Sequence, residues 1–189
     1  MASVIKIPVQ AWILDLYPAS GTPGSGQQLQ SLAKGLALPS FWTKEQITKA
    51  FQGANKVWAR AEIEFSPVTI SEAEDVVPVA ATPLWHYFVN TRSQQKGIGV
   101  SFVYDLPDDE GGWGGGGVAV LAYTKTKGAI GGFEGSILAH ELGHCLLGDE
   151  HVEDEPSNLM YHNRHPRRVA PDLLDEEQIT KARARAATL

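Results

Sequence analysis

Cysteine and methionine are nearly absent from this chain. One cysteine and two methionines occur in 189 residues. A single thiol, Cys145, excludes an internal disulfide framework and any Cys-rich zinc site. A bound metal must therefore be held by histidines and carboxylates. Basic charge is also in short supply. The net charge of −6 leaves no global positive field for nucleic acid. No apolar run approaches the roughly 18 residues of a membrane helix, so no membrane span is expected. The opening MASVIKIPVQAWILDLYPAS has one lysine, and Pro8, Gln10 and Asp15 interrupt its apolar run. It is not a secretory signal. Three alternatives stay open: a protein that stays inside the cell, one that leaves by a route without such a signal, or a sequence given without its signal. No internal repeat is present. A hydrophobic content of 43% and a charged content of 20% suit one globular domain, residues 1–189, with a substantial core.

The order of elements can be read from periodicity and punctuation. Residues 4–16 are apolar with partial alternation and predict a strand. Residues 18–26, PASGTPGSG, form a loop by composition. In 43–61, Thr43 and Gln46 make a capping box. Ile47, Ala50, Phe51, Ala54, Val57, Trp58 and Ala61 recur at helical spacing, so a helix follows, weakened slightly by Gly53. Residues 62–70 alternate until Pro67, which suggests a strand with a bend or an edge position. Short strands are expected at 86–91 (HYFVNT), 97–106 (an inner strand) and 118–125. Six glycines between 111 and 117 exclude a helix and mark a mobile or closely approached loop. Residues 133–148 predict a second helix, stopped by Gly148, and 171–187 a third. The order fits an α/β or α+β domain, read here as α+β with three main helices.

The chemistry gathers in HELGHCLLGDEH, residues 140–151, and five of the six histidines lie between 140 and 165. On a helix His140 and His144 point the same way, one turn apart, and can bind one zinc ion from one side. Glu141 lies about 100° around the axis, beside the pair. There it can take a proton from a metal-held water, whose pKa the metal lowers. This is the logic of the hydrolytic His-Glu-x-x-His pattern. The plainer alternative is two histidines with no metal on an apolar helix. A catalytic zinc usually has a third protein ligand. Asp149 and Glu150 directly follow Gly148, which leaves little chain in which to turn back. His151 lies three residues beyond the glycine, and a left-handed helix stop at Gly148 can bring it under the metal.

His140, Glu141, His144, Gly148 and His151 together resemble the metzincin zinc-metalloprotease motif. The family has two residues between the second histidine and the glycine. This chain has three, Cys145, Leu146 and Leu147. With the glycine as landmark, the extra residue lengthens or bulges the helix and His151 is the third ligand. With the spacing from His140 as landmark, Glu150 takes that place. His151 is preferred because imidazole suits zinc and the turn follows the glycine, and Asp149 ranks last. EPSNLMYH, residues 155–162, is similar to the family's Met-turn, which implies that Met160 packs beneath the imidazoles without binding zinc. The alternative is a methionine filling a core gap. Some members carry a tyrosine two residues after that methionine. Here Tyr161 is one residue after and His162 two, and either can donate to an oxyanion or shape the pocket.

The resemblance implies a zincin domain with a twisted mixed sheet, an active-site helix and a Met-turn. It implies an upper subdomain, 1–148, and a lower one, 149–189, with a peptide bound between them. Gly114 to Tyr123, centred on Gly116, Gly117, Val118 and Ala119, is the candidate substrate rim, with a plain hairpin as its alternative. The implied activity is that of a zinc-dependent metalloendopeptidase with one catalytic Zn2+, acting as a monomer on proteins or peptides. Nothing in the sequence argues for a dedicated inhibitor protein. Two rivals remain: a peptidase with Glu150 as third ligand, and a zinc-stabilised binding protein of protease descent that no longer cuts. The presence of Glu141 speaks against the second, since a structural site has no use for a base. Cys145 is expected to pack as a small apolar residue, and His86 to be structural. Asp108, Asp109 and Glu110 read as solvated turn residues. Arg164, Arg167 and Arg168 form a local basic cluster, either a solvated loop or a preference for acidic substrates.

Overall fold

The organising strand is β1 (Ile5–Pro18), whose alternate residues serve two different faces. Ile7, Val9, Ala11 and Ile13 belong to one buried cluster, while Leu14 and the partly buried Trp12 belong to another. Such an arrangement requires cover on both sides of the sheet. The computed structural model describes residues 3–18, 42–77, 84–104, 106, 111–123, 134–161 and 173–189.

Five strands form one sheet in the order β2-β1-β3-β5-β4, with β2 at Ile63–Val77, β3 at Ile98–Val103, β4 at Gly112–Gly115 and β5 at Val118–Ala122. β1 pairs in parallel with β2 and β3, and β3 with β5, whereas β4 runs antiparallel to β5. The inner strands β3 and β5 are buried along their whole length, as expected of strands covered on both faces. β2 is an edge strand with a register shift beside Pro67, which agrees with the bend or edge position expected there. The Asn55 side chain accepts from the Phe65 N–H at 2.8 Å and donates to the Phe65 carbonyl at 3.0 Å, which blunts that edge.

Four α-helices, among the described residues, cover the sheet: α1 (Lys44–Trp58), α2 (Leu84–Arg92), α3 (Glu134–Leu147) and α4 (Glu176–Ala186). α1 has the capping box between Thr43 and Gln46, and it buries Ile47, Ala50, Phe51, Ala54 and Trp58. A 3-10 turn, Ala59–Ala61, extends it.

Three expectations need correction. Residues 86–91 lie in α2 and not in a strand. Tyr87, Phe88 and Val89 favour strands by propensity, but tertiary packing decides. Trp85 and Phe88, three apart, both pack edge-on against Trp113 of β4. The glycine segment 111–117 is not simply a loop, since Gly112–Gly115 form β4. The last helix begins at Glu176 and not at 171, because Asp175 is its N-cap and makes a capping box with Gln178. Residues 19–26, Asp108, Asp109, Glu110 and the basic cluster with Arg164, Arg167 and Arg168 lie outside the described residues. No helix of the described residues is long and apolar enough to cross a membrane.

α1 supports α3 through a glycine crossing. A Cβ on Gly53 would lie 2.8 Å from the Gly135 Cα, and one on Gly135 would lie 2.6 Å from the Gly53 Cα. The indole N–H of Trp58 donates to the Ala139 carbonyl at 3.1 Å. Gly53→Ala tests the crossing because two effects of known size oppose each other. Helix propensity alone gains about 1 kcal/mol, and overpacking costs roughly 1–3 kcal/mol. The added methyl meets backbone, so a net loss of about 1 kcal/mol is expected in urea unfolding. A stabilised variant would show that the helices can part without cost.

Candidate metal centre

α3 carries the site. It buries Leu138, Ala139, Leu142, Cys145 and Leu146, which fixes its rotation against the sheet and α1. His140 and His144 then project together, one turn apart. The helix runs to Leu147, and Gly148 ends it with φ +97°, a conformation that suits glycine. The Gly148 N–H donates to the His144 carbonyl at 3.1 Å, closing a left-handed cap. The chain reverses there and brings His151 back to the pair. Ring centroids are 4.7 Å apart for His140–His144 and for His144–His151, and 5.3 Å for His140–His151. One ligand atom from each histidine lies within 4.8 Å of the others, so the three could hold a metal ion. Asp149 and Glu150 are exposed and stand outside this group.

The hydrogen bonds around the rings argue for a cation. His140 Nδ1 lies 2.6 Å from the Leu159 carbonyl, and His144 Nδ1 lies 3.0 Å from the Gly148 carbonyl. A carbonyl oxygen only accepts, so each Nδ1 carries the proton. In neutral rings each Nε2 then presents a lone pair, and the two Nε2 atoms are 3.1 Å apart. Two lone pairs at that distance repel unless positive charge lies between them. A proton shared between the two rings can meet that need, and so can a metal ion. Carbonyls on the far nitrogens are also the usual outer partners of metal-binding imidazoles.

Glu141 is buried beside the pair, 6% exposed, under strand β4. The strand approaches the helix so closely that a Cβ on Gly112 would lie 2.8 Å from Glu141 Oε1, and one on Gly114 would collide with the Glu141 carbonyl. The glycines thus make room for α3. The expected substrate rim requires a correction at Val118 and Ala119. Both are fully buried in β5, with β3 on one side and β4 on the other. Gly116 and Gly117 form the turn between β4 and β5, with φ of +53° and +79°. Among the described residues β4 is the sheet edge next to α3. Ala122 N–H donates to the Gly111 carbonyl at 3.0 Å. Antiparallel alternation then directs the main-chain groups of Trp113 and Gly115 toward β5, and those of Gly112 and Gly114 outward. No strand among the described residues pairs with that edge.

Beneath the histidines the chain makes a tight turn. The Tyr161 N–H donates to the Asn158 carbonyl at 3.1 Å, and the Val152 N–H to the Met160 carbonyl at 2.9 Å. Met160 is 1% exposed and lies against Gly143, where any Cβ would strike the Met160 sulfur. Tyr161 is half-buried at the end of this turn, and His162 lies outside the described residues. His86 is exposed on α2 and is not part of the three-histidine group.

Sequence reasoning missed Gly143 and Asn158. Glycine inside a helix costs about 1 kcal/mol relative to alanine, which is itself a sign of a close neighbour. Asn158 is a buried polar residue, 1% exposed. Its only sequence signal is its place two residues before the methionine.

A scan of protein-family models and a search of curated proteins both find no match. Solved structures do match. A chain in "Structure of a chaperone-substrate complex" superposes with TM-score 0.55 at 12% identity, covering 98% of this chain and 34% of that one. Metalloproteinase-II from Bacteroides fragilis superposes with TM-score 0.54 at 16% identity, covering 97% of this chain and 54% of that one. This chain therefore spans about a third and about half of their lengths, 34% and 54%. At such identities the likeness is one of fold. The mixed sheet and helices resemble a metalloproteinase fold.

Cys145 is buried and its thiol donates to the Val118 carbonyl at 3.2 Å. Burial is the main reason its pKa is pushed up to about 12; main-chain hydrogen bonding at Gly115 opposes the shift, and the charge of Glu141 adds to it. The native chain is therefore expected to resist iodoacetamide at pH 8 and to be alkylated once in urea, read by mass spectrometry. Rapid labelling without denaturant would mean that the end of α3 opens.

Proposed function

We propose that this chain is a zinc-dependent metalloendopeptidase of metzincin type, with His140, His144 and His151 as zinc ligands. The carrying observation is the convergence of three imidazole nitrogens within 4.8 Å. The donor set fits the ion, because three protein ligands of nitrogen type are common in catalytic zinc sites. Bound there, zinc supplies the Lewis acidity that lowers the pKa of a water and polarises a peptide carbonyl. The chain's own residues do the rest. Glu141 takes the proton from the attacking water and passes it to the leaving amine. Its place beside the ligand pair on the same helix turn supports this role.

Gly112 and Gly114 turn their main-chain groups outward on the open edge of β4, where an extended peptide can pair in the manner of an added strand. The substrate rim is accordingly assigned to β4. Met160 plays the part of the Met-turn residue, as its packing against Gly143 supports. The extra residue of the motif is taken up as one more helical position, Leu147, ahead of Gly148. Residues 1–148 and 149–189 serve as upper and lower subdomains. Tyr161 and His162 remain the candidates for oxyanion donation.

Substitution separates the roles. Wild type is expected to hold one zinc by elemental analysis and to cut casein or a peptide library. Glu141→Ala should keep the zinc and lose roughly 10²–10⁴-fold or more in cleavage rate. His151→Ala should lose both, and Glu150→Ala neither. Loss of zinc in Glu150→Ala would move the third ligand to that residue. Zinc without cleavage in wild type would favour a zinc-stabilised binding protein.

A further inference from the structure

The peptide group joining Leu159 to Met160 has two partners on opposite sides. Its carbonyl accepts from His140 Nδ1 at 2.6 Å, and its N–H donates to Asn158 Oδ1 at 2.9 Å. A peptide group is planar, so fixing the N–H fixes the direction of the carbonyl. Asn158 is itself held. Its Nδ2 donates to Gln178 Oε1 at 3.0 Å, and its Oδ1 accepts from Gln178 Nε2 at 3.1 Å. Gln178 belongs to the capping box of α4: its Oε1 accepts from the Asp175 N–H at 3.1 Å, and its own N–H donates to Asp175 Oδ1 at 2.7 Å. The Leu159 N–H is anchored separately on the Leu173 carbonyl at 2.7 Å.

We infer that Asn158, paired with Gln178, is a positioning residue for the metal ligand His140, acting through the Leu159–Met160 peptide. The inference rests on the metal-site reading above. An amide pair is a directional acceptor in an otherwise apolar neighbourhood, with Leu159, Met160 and Leu174 all buried. Hydrogen bonds in series polarise one another. The acceptor Asn158 Oδ1 at one end and the donor His140 Nδ1–H at the other thus lie on one head-to-tail chain through the peptide. That chain orients the ring and makes its Nε2 a better electron-pair donor. The last helix, far along the sequence, is thereby coupled to the first ligand of the site.

Zinc affinity of the folded protein, measured by competition with a chromophoric chelator, tests this without any substrate. Asn158→Leu keeps the approximate size and removes the acceptor, and it should bind zinc about 10–100-fold more weakly than wild type. Asn158→Asp retains an oxygen for the Met160 N–H and should recover to within about threefold of wild type. Gln178→Leu should weaken binding to a smaller degree. Adding it to Asn158→Leu should cause no further loss, since both act through one contact. Urea unfolding of the zinc-free proteins records stability separately. Wild-type zinc affinity in Asn158→Leu, with only its stability lowered, would overturn the inference. If that variant does not fold, undiminished affinity in Gln178→Leu overturns it equally. A wild type that binds no zinc would instead overturn the three-histidine site itself, and the inference with it.

Discussion

Helix α3 is approached on three sides at distances that leave no room for a Cβ, and the rest of the site depends on that constraint. Gly135 meets Gly53 of α1, Glu141 lies under Gly112 and Gly114 of β4, and Gly143 lies against Met160. At the Gly53–Gly135 and Gly114–Glu141 contacts the glycine meets backbone, and Gly112 and Gly143 meet the side chains of Glu141 and Met160. Interiors at this density transmit small displacements and do not absorb them. The helix therefore cannot rotate or slide without parting from a sheet edge, a helix and a turn at once. A pair of histidines one turn apart is only as well aimed as the helix that carries it.

The same constraint explains why the carbonyls of Leu159 and Gly148 are available to the imidazoles. Gly148 closes the helix by its N–H to His144 O and offers its own carbonyl back to His144 Nδ1. Leu159 comes within reach of His140 because Met160, next in sequence, lies in the space left by Gly143. Both rings thus have their tautomers set from outside the cluster, and both turn lone pairs inward. The glycines of α3 and its cap are consequently part of the electrostatics of the site as well as of its packing.

Much of this was legible in the sequence where side chains carry the pattern. The Thr43–Gln46 box, the apolar stripe of α1 and the apolar runs of β3 and β5 are patterns that burial matches. The spacing of His140 and His144, with a glycine stop before His151, also indicated which rings share a face. What could not be read depends on partners distant in sequence. α2 has strand-like residues and becomes a helix because Trp85 and Phe88 must meet Trp113. β4 has almost no side chains to form a pattern. It is a strand because β5 offers hydrogen bonds on one side and α3 a surface that only glycine can approach. The expectation of Val118 and Ala119 at the rim fails for the same reason. Composition marks the glycine segment, but only pairing identifies which strand is outermost.

The polar groups beneath the histidines complete the reasoning about what the cluster is for. A fold selected only for stability gains little from burying Asn158, which must be satisfied by Gln178 to avoid an unpaired amide. It gains little from holding two imidazole Nε2 atoms 3.1 Å apart, where both lone pairs face each other unless a positive charge joins them. Both are local conflicts with a simple apolar core, and each is resolved by a specific partner: the amide pair for the first, positive charge for the second. Conflicts of this kind are expected where function and packing compete. Here they fall on opposite sides of one peptide group, so that the residues fixing the turn and those converging on the cluster form a single connected unit. A cation bound by that unit would tie the turn to the helix, and because the site does not exist in the unfolded chain its binding free energy would appear as folding free energy.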